Sequence, residues 1–213
     1  GMTEKAAREA GFDVGVSVVH KDHHAGYYPG GQPLTLKLVY DRKKGKLLGG
    51  QAFGLEGVEK RIDVLATALH GGMTLEDLSE LDLAYAPPYS SANDPINMAA
   101  FVGQNDISGF SPLLTTEQAA EKAKAGNCLI LDVRNLGEVA RGHVKGALNI
   151  PVDELRFRLA ELPRDRDIIV HCGVGFRAHL AVRILKENGF ERVWNITGGY
   201  TSMKTLGLFD EES

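Results

Sequence analysis

Cysteine is scarce in this sequence, with two residues among 213. Cys128 opens an apolar run, Cys128-Leu129-Ile130-Leu131, whereas Cys172 is followed by a glycine-rich segment. Two cysteines in such different surroundings do not form a disulfide framework, and they favour a reducing compartment. We interpret Cys128 as a core residue and expect a cytoplasmic protein.

Long apolar runs and a strong net charge are also lacking. No segment approaches the roughly 20 apolar residues that a membrane span requires, and the first residues show no apolar core of a signal peptide. The formal net charge is −4, with both signs interspersed. We therefore expect binding neither to membranes nor to nucleic acid.

The sequence contains three clustered histidines but little else that indicates a metal site. His20, His23 and His24 lie close together, and no carboxylate–histidine or cysteine–histidine spacing accompanies them. We interpret this segment as a solvated loop and predict no metal centre.

The most informative feature that is present is the position of Cys172. Residues 168–170 form a short apolar run typical of a buried parallel strand, and apolar residues recur at helical spacing over 180–185. Between them, Gly173 and Gly175 allow backbone N–H groups to converge on one point. The helix amino terminus adds free donors and a positive dipole end. This setting favours a thiolate, which is the nucleophilic form of cysteine.

Arg177 closes this segment and has two possible roles. Its planar guanidinium suits an anionic substrate, or it braces the loop through a carboxylate, with Asp132 as the expected partner. Arg134 is a weaker candidate for anion binding, because an arginine at a strand end is often a surface charge. Both roles of Arg177 stay open at this point.

Other polar residues near the site are assigned supporting roles. His171 precedes the nucleophile but is expected to face the other side of its strand. Glu138 and His143 are expected to hold the fold together, and Gly198-Gly199 to form a turn near the site.

The pattern Cys-x-x-Gly-x-Arg over 172–177 resembles the active-site loop of the rhodanese family of sulfurtransferases. Upstream, Leu131-Asp132-Val133-Arg134 and residues 142–151 follow in the order of that family, so the resemblance covers about 111–206. It implies that Cys172 and Arg177 are catalytic and that a substrate-binding loop surrounds them, made of Gly173, Val174, Gly175 and Phe176. Asp132 and Arg134 are the implied supporting residues.

The loop and the resemblance together imply ping-pong sulfur transfer. Cys172 would take sulfur from thiosulfate or a small persulfide or polysulfide and pass it to a thiol acceptor. Phosphatases of the Cdc25 type share this fold but have five residues between cysteine and arginine, whereas four stand here. The shorter loop makes a tighter cradle, which disfavours a phosphatase.

The first half has a different periodicity. Alternating apolar residues predict three strands, at 14–19, 34–40 and 46–55, joined as an antiparallel sheet. The helical period predicts a segment from 58 to near Gly71-Gly72 and further segments at 75–81 and 95–102. Strands followed by helices indicate an α+β domain over 1–107.

The second half alternates strands and helices. Helices are predicted at 116–125, 135–141, 153–161 and 176–188, and strands at 128–133, 147–149, 168–172 and 192–196. This order indicates an α/β rhodanese domain with a parallel sheet over 111–213, with Cys172 at the carboxyl edge of the sheet.

The first half carries a second resemblance. Tyr27-Tyr28-Pro29-Gly30 and residues 86–97 resemble the dimerisation domain of flavin-dependent pyridine nucleotide-disulfide reductases, and more narrowly the coenzyme A-disulfide reductase and NADH oxidase branch. The resemblance implies a homodimer through residues 1–107. It also implies that Tyr89 and either Tyr27 or Tyr28 reach a coenzyme A or cysteine thiol across the dimer, although simple interface or surface packing is an equally good interpretation.

The nucleotide-binding modules of that branch are not evident. Gly49-Gly50 lies inside a predicted strand rather than between a strand and a helix, so it is not a dinucleotide fingerprint. We expect no cofactor in this chain, and FAD, NADH and coenzyme A only in a full-length fusion, where the rhodanese domain would serve a persulfide or coenzyme A-disulfide reductase. The alternative is a dimerising scaffold whose rhodanese domain only docks sulfur carriers.

Overall fold

A computed structural model describes residues 1–212. The chain divides into two compact units, Gly1–Gly109 and Phe110–Ser213. The predicted fold class is confirmed, because the first unit has an antiparallel sheet with helices and the second has a parallel sheet. No helix within residues 1–212 is both long and apolar enough to cross a membrane.

The first unit is built on a three-stranded antiparallel sheet. Its strands are β1 (Val14–Asp22), β2 (Pro33–Asp41) and β3 (Leu47–Gly54), in the order β1-β2-β3. The period-2 pattern of β2 places Leu34, Leu36 and Leu38 in the core, where each is almost fully buried. Gly49 and Gly50 pair with β2 inside β3, so they form no strand-to-helix turn.

Four helices accompany this sheet. They are α1 (Glu4–Glu9), α2 (Val58–Gly71), α3 (Leu75–Glu80) and α4 (Pro95–Ile107). Thr74 and Asp77 form a capping box at the start of α3, and Asp94 caps α4 with Pro95 in its first turn. Leu65 of α2 and Ile96 of α4 pack in the same core as β2.

The histidine segment of this unit differs from the prediction. His23 and His24 are buried rather than solvated. The His23 ring nitrogen accepts a hydrogen bond from the Gln32 N–H, and the His24 ring packs against Tyr28 edge to face. No group of three metal-ligating side chains occurs in the part of the chain that the structure describes.

The second unit contains a five-stranded parallel sheet. Its strands are β4 (Leu113–Leu114), β5 (Cys128–Asp132), β7 (Leu148–Asn149), β8 (Asp167–His171) and β9 (Val193–Ile196), in the order β4-β9-β8-β5-β7. A separate antiparallel pair joins β6 (His143–Val144) to β10 (Glu211–Glu212). Because β5 and β8 are neighbours in register, Asp132 and His171 lie opposite each other at the carboxyl edge.

The helices of the second unit are α5 (Thr116–Lys124), α6 (Leu136–Val139), α7 (Phe176–Glu187) and α8 (Gly199–Leu206). The helix predicted over 153–161 is wrong. Two 3-10 turns, Leu155–Phe157 and Leu159–Glu161, occupy that segment, because Arg158 between them leaves the helical region at φ −119°. The helix α8 was not predicted, and it follows the expected Gly198-Gly199 turn.

Candidate active site

Cys172 lies directly after β8, at the base of the loop that leads into α7. Gly175 has φ 111° and caps the amino terminus of α7, a conformation that favours glycine. This turn directs the Gly175 N–H at the Cys172 Sγ, 3.2 Å away. Cys172 is only 1% exposed, so its sulfur is buried at a helix amino terminus with the Gly175 N–H directed at it, an arrangement that we call the cradle.

Backbone N–H groups at the amino terminus of α8 donate hydrogen bonds to the loop. The Tyr200 N–H donates to the Cys172 carbonyl at 2.7 Å, and the Thr201 N–H donates to the Gly173 carbonyl at 3.0 Å. The Asn195 side-chain amide donates to the Gly175 carbonyl at 3.2 Å. These donors fix three loop carbonyls, so the loop conformation is set before any ligand binds.

Gly199 permits this close approach. It has φ 55°, and a Cβ added there would lie 2.5 Å from the Cys172 carbonyl oxygen. The expected glycine turn is therefore present near the site, and it positions the loop through α8.

Arg177 is braced by Glu138 of α6, not by Asp132 as predicted. Its two terminal nitrogens donate to the two Glu138 carboxylate oxygens, both at 2.6 Å. The hydrogen bonds from Arg177 lower the pKa of Glu138 to about 2, so the carboxylate stays charged. Sequence spacing gave no signal for this pair, although an Asn135-x-x-Glu138 pattern marks Glu138 as the residue that caps α6.

Asp132 instead binds Arg134, two residues along the chain. Arg134 donates to both Asp132 carboxylate oxygens and to the Gly142 carbonyl, and its guanidinium lies 3.9 Å from the centre of the Tyr200 ring. Both partners of this ion pair are buried. Arg134 is therefore not a surface charge; it lies buried against Asp132 at the base of the site.

His171 is the last residue of β8 and is fully buried. Burial lowers its pKa to about 4, and the Asp132 carboxylate 3.8 Å away opposes that shift. The ring also stacks against Tyr200, with ring centres 6.0 Å apart. His171 is thus a neutral packing residue behind the nucleophile.

The outer side of the loop is apolar. Val174 and Phe176 are exposed, as is Leu136 in α6. Arg177 is partly exposed beside these residues. The loop therefore presents apolar side chains and one ion pair to solvent.

The three tyrosines singled out in the first unit lie on its surface. Tyr27, Tyr28 and Tyr89 are all exposed. The Tyr27 hydroxyl hydrogen-bonds the hydroxyl of Tyr85 at 2.9 Å, a contact that raises the pKa of Tyr27. Sequence reasoning missed Tyr85, which precedes the resembling segment.

A buried arginine ties the two tyrosine segments together. Arg61 donates to the His23 carbonyl and to the Asp94 carboxylate, both at 2.7 Å, and Ser90 also donates to Asp94. Sequence reasoning missed Arg61 as well. Its signal is a charged residue at helical spacing from Val58 and Leu65, on the apolar face of α2.

Two family models match this chain. Residues 1–95 match the pyridine nucleotide-disulphide oxidoreductase dimerisation domain, and residues 115–206 match the rhodanese-like domain. Both resemblances found in the sequence are thereby confirmed.

Similar proteins match this chain over parts of longer chains. A coenzyme A disulfide reductase of Staphylococcus epidermidis is 43% identical over 93 residues, which are 44% of this chain and 21% of that protein. The crystal structure of reduced Bacillus anthracis CoADR-RHD matches 97% of this chain and 37% of its own, with 40% identity and a TM-score of 0.91. An NAD-dependent persulfide reductase from A. fulgidus matches 95% of this chain and 36% of its own, with 38% identity and a TM-score of 0.82.

This chain thus spans about a fifth of the curated relative and little more than a third of either solved structure. The matched domains, the fold and the loop geometry agree with one another. The chain therefore joins a segment that matches the pyridine nucleotide-disulphide oxidoreductase dimerisation domain to a segment that matches the rhodanese-like domain.

Proposed function

We propose that this chain is a sulfurtransferase that carries sulfane sulfur as a persulfide on Cys172. The observation that supports this most directly is the cradle, in which a backbone N–H points at a buried sulfur at the start of α7. Such a site stabilises negative charge on the sulfur in both the thiolate and the persulfide.

The first half-reaction loads the cysteine. The Cys172 thiolate attacks the outer sulfur of the donor, and a new S–S bond forms as the donor's own bond to that sulfur breaks. The electron pair of the broken bond leaves with the donor, as sulfite from thiosulfate or as a thiolate from a persulfide.

The second half-reaction unloads it. An acceptor thiolate attacks the outer sulfur of the Cys172 persulfide and becomes a persulfide itself, and Cys172 leaves as the thiolate. The cradle that binds the sulfur anion at the start also binds the leaving anion at the end, so one set of donors serves both steps.

In a full-length fusion, the same sulfur would be exchanged with a reductase module. The similarity to a coenzyme A disulfide reductase and to an NAD-dependent persulfide reductase supports this role. FAD, NADH and coenzyme A would then act at sites completed by other modules, with Tyr89 and either Tyr27 or Tyr28 contacting a thiol across a homodimer. That dimer would form through residues 1–107.

Intact-protein mass spectrometry tests the transferase. After brief incubation with thiosulfate or a small organic persulfide, we expect the wild type and Cys128→Ser to gain the mass of one sulfur atom. Cys172→Ser should gain none. If the wild type gains no sulfur from either donor, the transferase proposal fails, and the domain is better described as a dock for sulfur carriers.

A further inference from the structure

The ion pair between Arg177 and Glu138 changes the charge that a sulfur donor meets at Cys172. The guanidinium is the cation best placed to attract an anionic donor, but both of its terminal nitrogens already bind a carboxylate at 2.6 Å. Two parallel charge-assisted hydrogen bonds are a strong arrangement. Arg177 is therefore neutralised in the resting protein.

The second arginine at the site is neutralised in the same way. Arg134 is buried against the Asp132 carboxylate. Behind the loop, burial keeps His171 uncharged near neutral pH, because its pKa is about 4. Arg177 and Arg134 are thus each paired with a carboxylate.

The two other side chains of the 172–177 loop are apolar. Val174 and Phe176, the side chains between the loop glycines and Arg177, are exposed. Phe176 is 65% exposed and Val174 is 45% exposed, so a ligand that reaches the loop would meet apolar side chains there. A charge-neutral entrance with apolar sides suits an organic carrier better than a small hydrated dianion.

We propose that Glu138 is a specificity-determining residue, which makes the Cys172 loop select persulfides of organic thiols over free small dianions such as thiosulfate. This inference rests on the proposed sulfur transfer and specifies its donor. The Cys172 thiolate attacks the outer sulfur of R–S–SH, the S–S bond breaks, and R–S⁻ leaves with the electron pair. The proton stays on the transferred sulfur, and the carbon chain of R packs on Val174 and Phe176.

The main test compares two donors in Glu138→Gln. Glutamine keeps the size of the side chain and its capping role in α6, but it leaves the charge of Arg177 uncompensated. We expect kcat/KM for thiosulfate to rise at least about tenfold relative to kcat/KM for 2-hydroxyethyl persulfide, in a salt-sensitive way. The ratio of the two isolates the charge of the donor, because a change in Cys172 ionisation affects both donors equally.

Glu187→Gln provides the matched control. Glu187 also pairs with an arginine of α7, Arg183, but at the far end of the helix. Removing the Glu187 charge should leave the ratio of kcat/KM for thiosulfate to kcat/KM for 2-hydroxyethyl persulfide unchanged. An unchanged or lowered preference for thiosulfate in Glu138→Gln would overturn the inference.

A second readout does not depend on sulfur transfer. Alkylation of Cys172 by anionic iodoacetate and neutral iodoacetamide is followed by peptide mass, separately from Cys128. Glu138→Gln should raise the iodoacetate-to-iodoacetamide rate ratio at Cys172 at least about threefold, as an added local positive charge requires. Equal ratios in wild type and variant would contradict the inference even if Cys172 carries persulfide. If no donor loads Cys172 while this ratio still rises, the transferase proposal fails and the charge assignment of Glu138 stands.

Discussion

His171 is a fully buried titratable side chain, one residue before the nucleophile. Its folded-state pKa of about 4 lies below the ordinary value of 6.5 because burial disfavours the charged ring. The neighbouring charges act in opposite directions, since Asp132 raises the pKa and Arg134 lowers it. Between about pH 4 and pH 6.5, the unfolded chain therefore binds a proton at His171 that the folded chain does not bind.

This difference predicts acid sensitivity of the second unit. The neutral-histidine contribution to stability is complete above pH 6.5 and is lost as the pH falls from there towards 4. At pH 5 the loss is about 2 kcal/mol for this residue alone. In His171→Leu, the drop in the free energy of unfolding between pH 7.5 and pH 5 should be smaller than in the wild type by about that amount.

Urea unfolding followed by tryptophan fluorescence measures this effect in the correct unit. The single tryptophan of the chain, Trp194, lies in β9 beside β8. Its fluorescence therefore reports on the second unit and not on the first. If wild type and His171→Leu lose the same stability on acidification, His171 is not the group responsible.

At the level of elements, α8 fixes the active-site loop through its first turn. The N–H groups of Tyr200 and Thr201 need acceptors because they lie at a helix start, and the loop carbonyls of Cys172 and Gly173 supply them. One set of hydrogen bonds thus satisfies the helix terminus and sets the conformation of the loop.

Gly199→Ala should disrupt this arrangement. Its φ of 55° is unfavourable for alanine by about 1–2 kcal/mol, and the new Cβ would meet the Cys172 carbonyl oxygen, a backbone atom that moves only with the loop. We expect the rate of Cys172 persulfide formation to fall at least about tenfold. Intact mass at short times gives this rate, and Trp194 fluorescence gives the stability.

Gly207→Ala is the matched control on the same helix. Gly207 ends α8 at φ 61°, and no atom lies within 4 Å of a Cβ added there. This variant should lose a similar backbone energy but keep its persulfide rate. Equal rates in the two variants would show that α8 does not position the loop.

The elements with strong periodicity were predictable from the sequence, and those formed by tertiary contacts were not. The alternation in β2 and the helical spacing in α2 led directly to the observed strand and helix. In contrast, α8 contains glycine and β-branched threonine and depends on the loop carbonyls as caps. The segment 155–161 folds as 3-10 turns because Arg158 departs from helical geometry between them.

The site itself shows the same division. Cys172 and its cradle followed from local sequence, because a strand, glycines and a helix are consecutive there. The partner of Arg177 did not, because Glu138 lies 39 positions away in the chain. Asp132, the predicted partner of Arg177, instead binds Arg134. Arg134 is only two residues away in the chain, so it reaches the Asp132 carboxylate more easily than Arg177 does.

At the level of the whole molecule, the first unit exposes large apolar side chains near the end of one strand. Phe53 and Leu55, at the end of the edge strand β3, are 81% and 83% exposed. Patches of this kind mark interaction surfaces. Since this unit matches a dimerisation domain, we expect these two residues to be buried between two copies of the chain.

Phe53→Asp should therefore weaken the dimer. The change removes an apolar contact worth about 2 kcal/mol and buries an unpaired carboxylate in each copy, so we expect the dimer dissociation constant to rise at least about a hundredfold. Gel filtration with light scattering over a dilution series measures this constant.

Phe157→Asp makes the same substitution at an exposed phenylalanine of the second unit and should leave the dimer dissociation constant unchanged. A wild type that stays monomeric at the highest concentration would contradict the dimer, whereas a Phe53→Asp variant as dimeric as the wild type would place the interface elsewhere.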